Sequence, residues 1–120
     1  MTTYVILLPG DESTWEAATP EHRAAMYSEH ERFSRTLEER GHRVVGGAEL
    51  TPSREARVVR GGEDGPAVSD GPYAEAVEQL TGFYLVESDD LHDLTQVCGI
   101  LAAAGDAVEI RATVASGEGA

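Results

Sequence analysis

The sequence predicts a single α+β sandwich: an antiparallel sheet with two helices on one face. Three observations predict it. Two stretches, 19–41 and 88–105, carry apolar residues at helical spacing between good caps and glycine stops. Short β-branched or aliphatic runs stand before, between and after them. A glycine-rich reversal, "GGEDG", joins two of those runs as a hairpin. The order is therefore β-α-β, a hairpin, then β-α-β, with no repeat and no internal linker in 120 residues.

"TTYVILLPG" opens as a strand stopped by Pro9-Gly10, and "DESTWEAAT" is a polar connection with Trp15 as a lid over the core or a dimer edge. The first helix has Thr19 as its N-cap, Pro20 at the first helical position and Glu21 in the first turn. Ala25, Met26, Phe33 and Leu37 form its apolar stripe, and Gly41 ends it. "HRVVGGAEL" is the second strand, its Gly46-Gly47 pair marking a bulge or a close backbone approach. "EARVVRGG" and "GPAVSDG" are the hairpin arms. "TGFYLVES" is an interior strand. The second helix is capped by Ser88 or Asp89 and stopped by Gly105, and "DAVEIRATV" is the last strand before a frayed tail over 115–120.

Both helices cover one face of the sheet most easily. Nothing else in a chain of this length is left to bury the other face, which predicts a sheet-to-sheet homodimer. With 22 acidic and 9 basic residues the net charge is −13. Such a chain repels phosphate backbones, so no nucleic-acid partner is expected. Every basic residue is Arg, which removes lysine Schiff-base chemistry. One cysteine, Cys98, excludes an intrachain disulfide and is expected as a buried core residue. "YVILLP" falls far short of the roughly 20 residues a membrane span needs. It also lacks a basic leader, so the cytoplasm is the simplest location. No spacing suits a metal site, and "GGEDG" lies in a hairpin rather than after a strand and before a helix, so no cofactor is expected.

Three segments, "YVILLPGDES", "GHRVVGGAEL" and "SDGPYAEAVEQLTGFYLVESDDL", resemble the YCII-related family, in its branch named for an Asp-Gly-Pro-Phe motif. The resemblance covers nearly the whole chain as one domain, with Tyr73 where the branch name has Phe and Val77 where relatives often carry Lys. It implies a ferredoxin-like fold of the dimeric α/β-barrel type, and a pocket holding a His and an Asp as an active pair. One relative is implicated in an elimination, the dehydrochlorination of a chlorinated hydroxyquinol. Others are proposed as regulators.

His30 lies eleven residues before Gly41, where the resemblance places the active histidine. Residues 26, 30, 33 and 37 share a helix face, so His30 points toward the sheet, where an imidazole can take or give a proton near neutral pH. Asp70 opens the Asp-Gly-Pro corner. It serves the turn by accepting backbone N–H groups, and it is also the candidate to orient His30 or act as base. Gly71 permits close approach, Pro72 stiffens the exit, and Tyr73 is a candidate pocket wall. Tyr4 and Glu49, at strand positions expected to converge there, complete the pocket. His22, His42 and His92 read as surface positions. The expected function is a cofactor-independent lyase or isomerase acting on a cyclic small molecule near the dimer interface. The alternative is a non-catalytic metabolite-binding or regulatory module.

Overall fold

A computed structural model describes residues 1–115, so the tail expected over 115–120 lies, from 116 onward, outside the described residues. The chain is a mixed α+β structure. Strands β1 (Thr2–Asp11), β2 (Arg43–Glu49), β5 (Glu78–Ser88) and β6 (Glu109–Ala112) make a four-stranded sheet in the order β2-β5-β1-β6. All of its pairings are antiparallel. Helix α1 (Glu12–Glu16) is a single short turn, while α2 (Pro20–Glu39) and α3 (Leu91–Ala103) are the long ones. Strands β3 (Arg57–Gly62) and β4 (Gly65–Asp70) pair only with each other, as the inserted hairpin. This arrangement is consistent with a ferredoxin-like fold. No helix among the described residues is long and apolar enough to cross a membrane.

Local chemistry sets the boundaries. Thr19 accepts the His22 N–H at 3.1 Å and Pro20 needs no partner, so α2 begins where the sequence indicated. Gly41 and Gly105 follow α2 and α3 with φ of +88° and +112°, the left-handed stop that a side chain would resist. Two details differ from expectation. Asp11 caps an extra turn, α1, by accepting the Ser13 N–H, where a plain connection was expected. Asp90, rather than Ser88 or Asp89, caps α3 through the Asp93 N–H.

Alternation divides the sheet into two unlike faces. Ile6, Leu8 and Val86 pack against Phe33 and Leu37 of α2 and Leu94, Val97 and Leu101 of α3, so both long helices lie on one face. Cys98 is buried in the same cluster, and that burial raises its thiol to about 11, leaving it an inert core residue. Truncating Leu37 or Leu94 to Ala would cost about 2–5 kcal/mol. The opposite face carries Val5 across from Leu85 and Leu7 across from Phe83, none of them part of the helix-packed cluster.

The expectation of a surface His42 fails. It is 3% exposed, with Nδ1 2.8 Å from the Ser88 hydroxyl and Nε2 2.8 Å from Asp93. Asp93 also pairs with Arg40, and His42 first and then these arginine contacts hold its carboxyl below the ordinary value of 3.8. The strand alternation that points Val44 inward points His42 inward too, and a buried imidazole is tolerated because both its nitrogens are satisfied.

The Gly46-Gly47 pair is both the bulge and the close approach. The β2–β5 register shifts between Val44 and Gly46. At Gly47 φ is +151°, and a Cβ there would sit 2.7 Å from the Phe83 carbonyl and 3.2 Å from the Tyr84 Cα. Gly47→Ala is therefore expected to destabilise the fold by about 1–3 kcal/mol, measured by urea denaturation. A change within about 0.5 kcal/mol, the ordinary range for surface substitutions, would contradict this account of the β2–β5 contact.

Candidate functional site

Helix α2 places His30 over the sheet one turn after Met26 and one turn before Phe33 and Ser34. The half-buried imidazole lies between two polar groups. Its Nδ1 is 2.8 Å from the Tyr84 hydroxyl of β5, and its Nε2 is 3.1 Å from Oδ2 of Asp106 in the turn from α3 to β6. The phenol packs tilted on Phe33, ring centroids 5.2 Å apart, and lies nearly parallel to the imidazole at 5.9 Å. Side-chain exposures of 23% for His30 and 28% for Asp106 leave the pair reachable from solvent.

Protonation logic fixes one arrangement of hydrogens. Burial, with the Asp106 charge adding to it and the Ser34 hydroxyl opposing it, raises the Tyr84 phenol above its ordinary 10.0. The Asp106 carboxylate can only accept, so Nε2 carries the hydrogen of the neutral ring and Nδ1 is left to accept from the protonated phenol. Asp106 keeps its second oxygen, Oδ1, outside any hydrogen bond among the described residues. A hydroxyl, an imidazole and a carboxylate in series can hold one proton and shift it along the line.

The carboxylate on His30 is thus Asp106, not Asp70. Asp70 ends β4 opposite Arg57, exposed, and makes no hydrogen bond to His30. Gly71 does permit a close approach, but to the chain itself. Its N–H donates to the Ala56 carbonyl at 2.8 Å, and a Cβ on it would lie 2.8 Å from that of Ala56. Pro72 follows through a cis peptide bond, and Tyr73 stands out from the surface under Arg60. Glu49 accepts the Tyr27 hydroxyl at 2.9 Å. Tyr4 packs against the core beside Val86 and Ala112. None of these five bonds to His30.

Trp15 meets Tyr27 edge-on at 5.6 Å, with Arg23 stacked on it, so it closes the α1–α2 corner. Two shallow clefts lie on the surface. One of about 370 Å³ runs between α1 and the base of the hairpin, past Glu12, Glu16 and Arg54. The other, about 320 Å³, runs between α2 and α3 past Met26, Glu29, Ile100 and Ala104. His30, Tyr84 and Asp106 line neither cleft. No cluster of three metal-ligating side chains occurs among the described residues.

Tyr84 and Asp106 were not singled out from the sequence. Tyr84 had a signal: it alternates with Gly82 and Val86 on an inward strand face, where a phenol needs a hydrogen-bond partner. Asp106 had none, being one loop carboxylate among many.

Four tyrosines give this geometry an optical test. Glu49 raises the phenol of Tyr27 as burial raises that of Tyr84. Two of the four are expected to ionise later than the ordinary 10.0 in ultraviolet titration, and Tyr84→Phe is expected to remove one. A folded-state value above the unfolded one means that Tyr84's contribution is complete below about pH 10 and lost as pH rises through the higher value. Late ionisation that persists unchanged in Tyr84→Phe would contradict the assignment.

A model of the YCII-related domain matches residues 2–114. An uncharacterised protein of Rhizobium meliloti (strain 1021) is 32% identical over 90 residues, which are 75% of this chain and 72% of that protein. The chain belongs to the YCII-related family.

Proposed function

We propose that this chain is a small-molecule enzyme whose His30–Asp106 pair moves a proton in the elimination or isomerisation of a cyclic substrate. The observation that carries this reading is a contrast between two similar arrangements. His42 sits between Ser88 and Asp93 as His30 sits between Tyr84 and Asp106, but His42 is sealed and His30 is open to solvent. A structural latch needs only the first kind.

In the mechanism we infer, Asp106 Oδ1 accepts the proton, because Oδ2 is held by His30. His30 orients the carboxylate and spreads its charge, and Tyr84 fixes the imidazole tautomer. The substrate reaches the pair where His30 and Asp106 are exposed to solvent. The Asp70-Gly71-Pro72-Tyr73 segment supports membership of the Asp-Gly-Pro-Phe branch. The open apolar face of Val5, Leu7, Phe83 and Leu85 supports a sheet-to-sheet homodimer of the dimeric α/β-barrel type.

A second reading, a metabolite-binding module without turnover, is favoured by one observation. Both ring nitrogens of His30 are occupied inside the protein, leaving the imidazole none with which to exchange a substrate proton.

The test is proton exchange into deuterated water from a panel of enolisable cyclic ketones and lactones, and halide release from halogenated analogues. Asp106→Asn and His30→Ala are expected to lower turnover by about 10²–10⁴-fold, while Asp70→Asn leaves it within a few-fold. Saturable binding with no exchange would favour the second reading. Full activity in Asp106→Asn would overturn the mechanism.

A further inference from the structure

Asp106 reaches His30 from a turn, so the backbone of that turn has to be held. After α3 the chain follows a fixed hydrogen-bond pattern. The Gly105 N–H donates to the Ala102 carbonyl at 3.1 Å, and the Asp106 N–H donates to the Leu101 carbonyl at 3.0 Å. Both bonds close when Gly105 takes a left-handed backbone, here with φ of +112°. They tie the backbone of Asp106 to Leu101, a fully buried core residue.

Two observations set this turn apart from a plain helix stop. An apolar residue in the place of Asp106 commonly packs back on the helix end. In this chain the place holds a carboxylate, and it crosses to α2 instead. A carboxylate beside the carbonyl end of a helix is also electrostatically disfavoured, and the last turn of α3 has no basic residue to offset it. Neither apolar packing nor the helix dipole accounts for Asp106. The imidazole of His30 does.

The end of α2 supplies a matched comparison. Gly41 has φ of +88°, its N–H donates to the Glu38 carbonyl at 3.2 Å, and the His42 N–H donates to the Leu37 carbonyl at 2.9 Å. The same turn thus delivers His42 to the sealed line with Ser88 and Asp93. A Cβ at Gly41 or at Gly105 would meet nothing within 4 Å. Substitution at either therefore disturbs the backbone and leaves packing alone.

We propose that Gly105 is a positioning residue for the candidate site: its left-handed backbone sets Oδ2 of Asp106 on Nε2 of His30. The catalytic meaning of that placement rests on the function proposed above, while the placement itself does not.

The test reads the ring nitrogens of His30 by long-range proton–nitrogen correlation in the intact chain. The parent is compared with Gly105→Ala, Gly41→Ala and Asp106→Ala, and circular dichroism confirms the fold of each. In Gly105→Ala the His30 Nε2 resonance is expected to move most of the way toward its Asp106→Ala position, while Gly41→Ala leaves it at the parent's. Equal displacement by both glycine variants would overturn the proposal, since any loosened helix end would then do the same. No displacement in Gly105→Ala would overturn it as well. If Gly105→Ala does not fold, Gly105→Asn and Gly41→Asn carry the same comparison, because Asn tolerates left-handed backbone better than Ala does. Displacement confined to the Gly105 variant, in a chain that turns over nothing on the panel above, would support the placement and overturn the enzyme reading.

Discussion

The site depends on how closely β2 approaches β5 at Gly47. Without a Cβ there, the backbone of β2 lies on the Phe83 carbonyl and the Tyr84 Cα, and the Tyr84 ring is left pointing toward the helices. The phenol meets Phe33 and donates to His30, which in turn reaches the turn after α3. One backbone contact thus positions a sheet hydroxyl, a helix imidazole and a loop carboxylate in a line. The residue type at Gly47 is dictated by sterics and not by chemistry, yet the placement of the phenol depends on it.

The same construction occurs twice along β5. Ser88 and Tyr84 supply the hydroxyls, His42 and His30 the imidazoles, and Asp93 and Asp106 the carboxylates from opposite ends of α3. Both helices are pinned to the central sheet by these polar lines as well as by the apolar cluster of Phe33, Leu37, Leu94 and Leu101. A buried histidine with both nitrogens satisfied contributes to specificity of packing, and half-satisfied it would be a liability. What separates the two lines is access to solvent. That difference is why only one of them is read as chemistry.

Much of the fold was legible because its signals are local. Thr19-Pro20, Gly41 and Gly105 mark helix ends through their own backbone preferences, and Gly46-Gly47 announced the bulge. The site was half legible. His30 could be placed facing the sheet from the period of α2 alone. Its carboxylate could not be found, because Asp106 is 76 residues away and sits in a turn with no periodicity to orient it. Asp70 drew attention through the turn chemistry of Asp-Gly-Pro, which the hairpin base accounts for through Gly71 and Ala56. His42 was misplaced because a strand start reads as surface, although the alternation that turns Val44 inward turns His42 inward too.

The central claim is that Tyr84 donates to Nδ1 of His30, leaving Nε2–H for Asp106. A long-range proton–nitrogen correlation spectrum of the four histidine rings, in the parent and in Tyr84→Phe, tests it most directly. The account expects His30 as the Nε2–H tautomer in the parent, with its Nδ1 resonance displaced when the phenol is removed. An Nδ1–H tautomer, or a spectrum indifferent to Tyr84→Phe, would contradict it.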